Sequence, residues 1–111
     1  MNLAIGIHSN GYGPGGIYQY NCFNPFTYDL YEWYFVVGTY DGSVMKLYVN
    51  GTLTAWKSIS GNLLYNTNDI YIGDLQFYNN GTLGLLPGNI DEVRIYNRAL
   101  TEEEIISLYH E

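Results

Sequence analysis

An all-β fold, a sandwich or barrel of about seven short strands closed by one short C-terminal helix, is what this sequence predicts. Three observations carry the expectation. The 111 residues include 13 Tyr and 13 Gly; tyrosine favours pleated, half-buried surfaces and glycine the tight turns between them. Dipeptides that tolerate positive φ and favour hairpins recur along the chain, at Asn10-Gly11, Asp41-Gly42, Asn50-Gly51 and Asn80-Gly81. Helical signals gather in one place only, after Leu100.

Between the turn signals, the strands read in order as Leu3 to His8, Gly16 to Phe23, Trp33 to Tyr40, Val44 to Asn50, Leu53 to Ile59, Asp69 to Gly73 and Asn89 to Tyr96. Alternation assigns some faces. Leu47 and Val49 share one face, while Lys46 and Tyr48 share the other, where Tyr48 is expected to be exposed. Val93 and Ile95 share a face with Asp91. Trp33 to Val37 is apolar on both parities, as in a central strand covered on both sides, and Trp33 is expected in the core. The stretch Phe77 to Pro87 reads as a long loop.

The helix has a complete start signal. Thr101 at the N-cap and Glu104 three positions on form a capping box, with Leu100 and Ile105 placed as the hydrophobic staple. Glu102 and Glu103 occupy the first turn, where the helix dipole favours negative charge. The acidic triplet is thereby a helix start rather than a metal site. Ile105, Leu108 and Tyr109 make an apolar stripe able to pin the helix to a sheet edge.

Composition narrows the partners. Hydrophobic residues make up 47% and charged residues 14%, a folding composition for a single domain spanning residues 1–111. Four Lys plus Arg against 11 Asp plus Glu leave a formal charge of -7, which repels nucleic acid and anionic bilayers. No apolar run approaches membrane-spanning length. Cys22 is the single cysteine, so neither an intrachain disulfide nor a thiolate metal cluster can form.

From Glu32 onward, the order of features resembles the laminin-G-like, concanavalin A-like jelly rolls. Glu32-Trp33 followed by Val36-Val37-Gly38-Thr39-Tyr40-Asp41-Gly42 is similar to a central strand and turn of that family. Lys46-Leu47-Tyr48-Val49-Asn50-Gly51 resembles its next strand and hairpin, and Asp69-Ile70-Tyr71-Ile72-Gly73 a strand ending in Ile-Gly. Gly88 to Thr101, then Glu104-Ile105, resembles its closing strand and helix. The resemblance implies an antiparallel two-sheet jelly-roll sandwich in which Met1 falls inside the second or third strand. A domain lacking its first strands leaves unpaired edges, so self-association or marginal stability is expected.

Catalysis is not expected. Glucanases of this fold carry acids repeated as Glu-x-Asp-x-x-Glu, which set two carboxylates on one face as glycoside hydrolysis needs. That pattern is absent from the sequence, and Asp91 and Glu92 are adjacent, hence on opposite faces of a strand. The candidate metal ligand is Asp91, since the resemblance implies an acidic residue at that place helping to hold calcium. Its bland alternative is a structural carboxylate accepting backbone N–H bonds or pairing with Arg94 or Arg98. A second calcium site, of pentraxin type, would have only Asp74 and Gln76 to draw on.

Sugar-binding sandwiches stack exposed aromatics on pyranose faces beside amide and carboxylate groups. Most of the 13 Tyr, 4 Phe and 2 Trp must pack the core. Loop aromatics Tyr12, Trp56, Phe77 and Tyr78 are better candidates, and Asp74, Gln76, Phe77, Tyr78 and Asn80 with Trp56 form the expected ligand rim. Asn50-Gly51-Thr52 and Asn80-Gly81-Thr82 match a glycosylation acceptor pattern that their role as hairpin turns already explains. The resulting expectation is a non-catalytic, lectin-like carbohydrate-binding or adhesion module of a larger secreted or cell-surface protein, its partner a glycan or a surface protein. The alternatives are an interaction domain without a sugar ligand, or the C-terminal part of a glycan-active enzyme whose acids lie upstream.

Overall fold

The computed structural model describes residues 4–9, 18–23, 28–58, 72, 74–76, 83–85 and 88–111, with side chains for 28–58, 72 and 88–111. Two compact units divide the chain: Met1–Leu64 with Tyr96–Glu111, and Tyr65–Ile95. Among the described residues there are seven strands and one helix, all strand pairs antiparallel.

In the first unit, β1 (Ala4–Ser9) pairs with β2 (Tyr18–Phe23), from Ala4 opposite Phe23 to Ser9 opposite Tyr18. β3 (Val36–Tyr40), β4 (Val44–Val49) and β5 (Thr52–Ser58) form a three-stranded sheet in that order. β2 lies alongside β4 and β5. The centre of the sheet is therefore β4, not the run from Trp33 to Val37. Met45, Leu47 and Val49 on one face of β4 are buried, and so is Tyr48 on the other. The alternation of β4 is as the sequence predicts, but Tyr48 is covered rather than exposed.

Local chemistry fixes both hairpins of this sheet. At the β3–β4 turn, the Asp41 Oδ1 accepts from Ser43 N and Val44 N, each at 2.8 Å, and Gly42 takes φ +96°. Those two N–H groups, with Lys46 as a smaller contributor, hold the Asp41 carboxyl below its ordinary pKa. At the β4–β5 turn, Asn50 and Gly51 both adopt positive φ (+51° and +80°), as the Asn-Gly dipeptide predicts. Asn50 also ties the turn to the chain entering β3: its backbone N donates to Phe35 O at 2.8 Å, and its Oδ1 accepts from Phe35 N at 2.9 Å.

A bulge interrupts the β4–β5 ladder. Leu47 faces Ala55 but Tyr48 faces Leu53, which leaves Thr54 as the extra residue. The Thr54 Oγ1 donates to Leu47 O at 3.1 Å and satisfies a carbonyl at the break. The bulge inverts parity along β5, so that Leu53 and Trp56 fall on the same face as Tyr48 and Lys46.

Helix α1 (Glu102–Tyr109) carries the expected capping box. Glu104 N donates to Thr101 Oγ1 at 3.2 Å, and Thr101 N donates to Glu104 Oε2 at 2.8 Å. The box is reinforced by Arg98, whose Nη1 and Nη2 reach the two Glu104 oxygens at 2.8 and 2.9 Å. That bidentate pair, then the Thr101 N–H, pull the Glu104 pKa down to about 2. Ile105 is fully buried, and the Tyr109 ring stacks on Phe35 with centroids 5.9 Å apart. The apolar stripe thus pins the helix beside the β4–β5 turn.

In the second unit, β6 (Asp74–Gln76) pairs with β7 (Leu83–Leu85). Neither is among the strands the sequence predicts: Asp74–Gln76 follows the expected strand Asp69 to Gly73, and Leu83–Leu85 falls inside the stretch that reads as a long loop. Three-residue strands are too short to show a periodic pattern, so sequence alone does not reveal them. Of the expected strand Asp69 to Gly73, Ile72 is described, in a bend, and the rest lies outside the described residues.

The expected closing strand does not form over residues 89–96. Glu92 sits at φ +53°, outside the extended region, with its N–H donated to the Asp91 carboxylate at 2.8 Å. Ile90, Val93, Ile95 and Tyr96 are exposed. A strand is defined by its ladder, and among the described residues none pairs with this segment.

Candidate ligand-binding surface

Trp56 is the expected site residue that the structure places most clearly. It lies on β5 rather than in a loop and is 63% exposed. Cross-strand register puts it opposite Lys46, which in turn faces Thr39 on β3. The row Thr39–Lys46–Trp56 therefore sets a hydroxyl, an ammonium and an indole side by side on one face of the sheet. Thr39 is buried, Lys46 half-buried and Trp56 open to solvent. The adjacent row, Val37–Tyr48–Leu53, supplies apolar backing. An indole fixed on a strand, with a charged donor beside it, can stack on an apolar ligand face and hydrogen-bond its rim.

The other expected rim residues belong to the second unit or lie outside the described residues. Asp74 and Gln76 lie on β6 in the second unit, while Phe77, Tyr78 and Asn80 lie outside the described residues, as does Tyr12.

Asp91 is exposed, and its Oδ1 accepts from its own neighbour, Glu92 N. The two arginines proposed as its partners are engaged elsewhere. Arg94 approaches Glu92 at 3.5 Å on open surface, and Arg98 holds Glu104. Calcium needs six to eight oxygens from several segments. Among the described residues, no group of three or more His, Cys, Asp or Glu converges on a common point.

The expectation that Trp33 packs in the core is corrected. It precedes β3 and is 68% exposed, beside a fully exposed Tyr31 and a Leu30 that is 63% exposed. The sequence signal failed because the apolar run Trp33 to Val37 reads as one strand, whereas pairing begins only at Val36.

Residues 3–106 match the family model of the concanavalin A-like lectin/glucanases superfamily. The chain belongs to that superfamily. Among solved structures, this lectin/glucanase-like chain is similar to an S-layer domain-containing protein (residues 221–444) from Clostridium thermocellum, with 25% identity and a TM-score of 0.66. The alignment covers 97% of this chain and 51% of the other, so the chain spans about half the length of that structure. The comparison with curated proteins returned no match.

Proposed function

We propose that the chain is a non-catalytic carbohydrate-binding module of a larger secreted or cell-surface protein, folded as a jelly-roll sandwich. The observation that carries the reading is Trp56, a large aromatic held open to solvent on a strand, with Lys46 and Leu53 on the same face. A folded protein gains by covering an indole unless something else covers it. Membership of a lectin/glucanase superfamily makes a sugar the natural occupant, and the similarity to an S-layer domain-containing protein supports a surface location. The non-catalytic part rests on the sequence, which lacks the Glu-x-Asp-x-x-Glu arrangement of the glucanases. Calcium enters the proposal through Asp91.

The test is a glycan array with the 111-residue chain, with and without calcium, followed by titration of tryptophan fluorescence with any hit. Binding that shifts the indole emission and weakens about tenfold in Trp56→Ala supports the reading, since one well-packed aromatic anchor is worth roughly that factor. Absence of binding to any glycan would favour an interaction domain without a sugar ligand.

A further inference from the structure

We propose that the loop from Asp29 to Trp33 is a second glycan contact, preorganised to stack on neutral, hydroxyl-rich sugar units through Tyr31 and Trp33. The inference rests on the carbohydrate-binding reading and adds to it a site and a ligand class. Four features of the loop point the same way.

The first is exposure. Leu30, Tyr31 and Trp33 stand in solvent within four consecutive residues. The second is strain. Tyr31 holds φ +67°, a region that a bulky side chain enters only when its surroundings over-determine it.

The third is support from behind. Tyr28 and Tyr34 meet edge to face with centroids 4.8 Å apart, and the Tyr34 hydroxyl donates to Asp29 O at 3.2 Å, closing the loop across its base. Phe35, next in the chain, is clamped by both hydrogen bonds of Asn50 and by the stacked ring of Tyr109. A loop fixed at its base loses less entropy on binding, so its aromatic faces are available at little ordering cost.

The fourth is charge. Asp29 and Glu32, both exposed, flank Leu30 and Tyr31, and Glu32 precedes Trp33. Carboxylates accept hydrogen bonds and suit sugar hydroxyls beside a stacked ring. They also repel nucleic acid, anionic bilayers and acidic polysaccharides. Neutral sugars offer apolar ring faces to the aromatics and hydroxyl donors to the acids, and carry no charge for the acids to repel.

The test uses the 111-residue chain in affinity gel electrophoresis through laminarin, hydroxyethylcellulose, xylan and mannan, with polygalacturonate as the anionic probe. The variants are Tyr31→Gly, Trp33→Ala, Trp33→Phe and Trp56→Ala. Tyr31→Gly is the decisive one, because glycine relaxes the positive φ while removing the ring. It is expected to keep or raise Tm and yet lose retardation by the neutral polysaccharide that retards the parent chain. Trp33→Ala is expected to weaken that retardation about tenfold, and Trp33→Phe to restore part of it. A fall in Tm for Tyr31→Gly makes the ring structural and overturns the proposal. So does a parent chain that prefers polygalacturonate, or one whose retardation falls in Trp56→Ala but not in the loop variants. A parent chain that no polysaccharide retards overturns the glycan reading and this inference together.

Discussion

Substituting Gly51 by alanine tests how the helix is held to the sheet. Gly51 sits at φ +80°, and a Cβ built there meets Tyr109 Cδ1 at 3.2 Å. Two costs follow. An L-residue in left-handed backbone is disfavoured by about 1–2 kcal/mol, partly offset by the roughly 0.4–1 kcal/mol gained from a less flexible unfolded chain. The methyl also pushes the Tyr109 ring from its stack on Phe35, an aromatic pair worth about 0.5–1.5 kcal/mol. Together the loss comes to about 1–2 kcal/mol, or roughly 5–10 °C in Tm for a domain of this size.

Gly42 supplies the control. It lies at φ +96° with nothing within 4 Å of its built Cβ, so Gly42→Ala carries conformational cost alone. Urea denaturation of Gly51→Ala, Gly42→Ala, Tyr109→Ala and both double variants separates the terms. Gly51→Ala should lose about 0.5 kcal/mol of its cost once Tyr109 is truncated, whereas the cost of Gly42→Ala should not change. A Gly51–Tyr109 coupling of zero, or an equal coupling for Gly42, would refute the claim that this turn seats the helix.

Glu104 has its carboxyl pKa lowered to about 2 by Arg98 and the capping box, so its contribution is complete above the ordinary carboxylate range and is lost as pH falls toward 2. Glu104→Gln should lower Tm at neutral pH and flatten the dependence of Tm on pH between about 4.5 and 2 in thermal scans; an unchanged slope would remove Glu104 from acid stability. Thr101→Ala should cost about 1 kcal/mol by removing the acceptor for Glu104 N, read from urea midpoints. For the metal, calcium titration should raise Tm in the parent chain and leave Asp91→Ala unmoved; an equal rise in both excludes Asp91 as a ligand. The exposed apolar alternation at Val93 and Ile95, the latter 71% exposed, is expected to drive concentration-dependent association. Sedimentation velocity should show it weakened by Ile95→Lys, and a clean monomer across the concentration range would count against it.

Much of the first unit was legible in the sequence because its signals are local. The Asn50-Gly51 pair forces a tight turn by its backbone alone, Thr101 and Glu104 start the helix by hydrogen bonds three residues apart, and alternation sets Leu47 and Val49 on one buried face of β4, although Tyr48 on the other face is buried as well. Asp91 shows the limit of such reading. Its expected face depended on a strand, but the segment is not extended at Glu92, and Arg98, a proposed partner, is committed to Glu104.

What the sequence by itself determined is where the chain turns, where the helix begins and which side of β4 is apolar, since each follows from a few neighbouring residues. The functional surface was decided by tertiary structure. The Thr54 bulge inverts parity and sets Trp56 and Leu53 on one face with Lys46; without it, Leu53 and Trp56 would point to opposite sides. Trp33 and Tyr31 stand in solvent because strand pairing starts at Val36, and Tyr34, Asn50 and Tyr109 brace the chain around them. Bulges and loop braces depend on partners distant in sequence, and no local pattern of residue types encodes them.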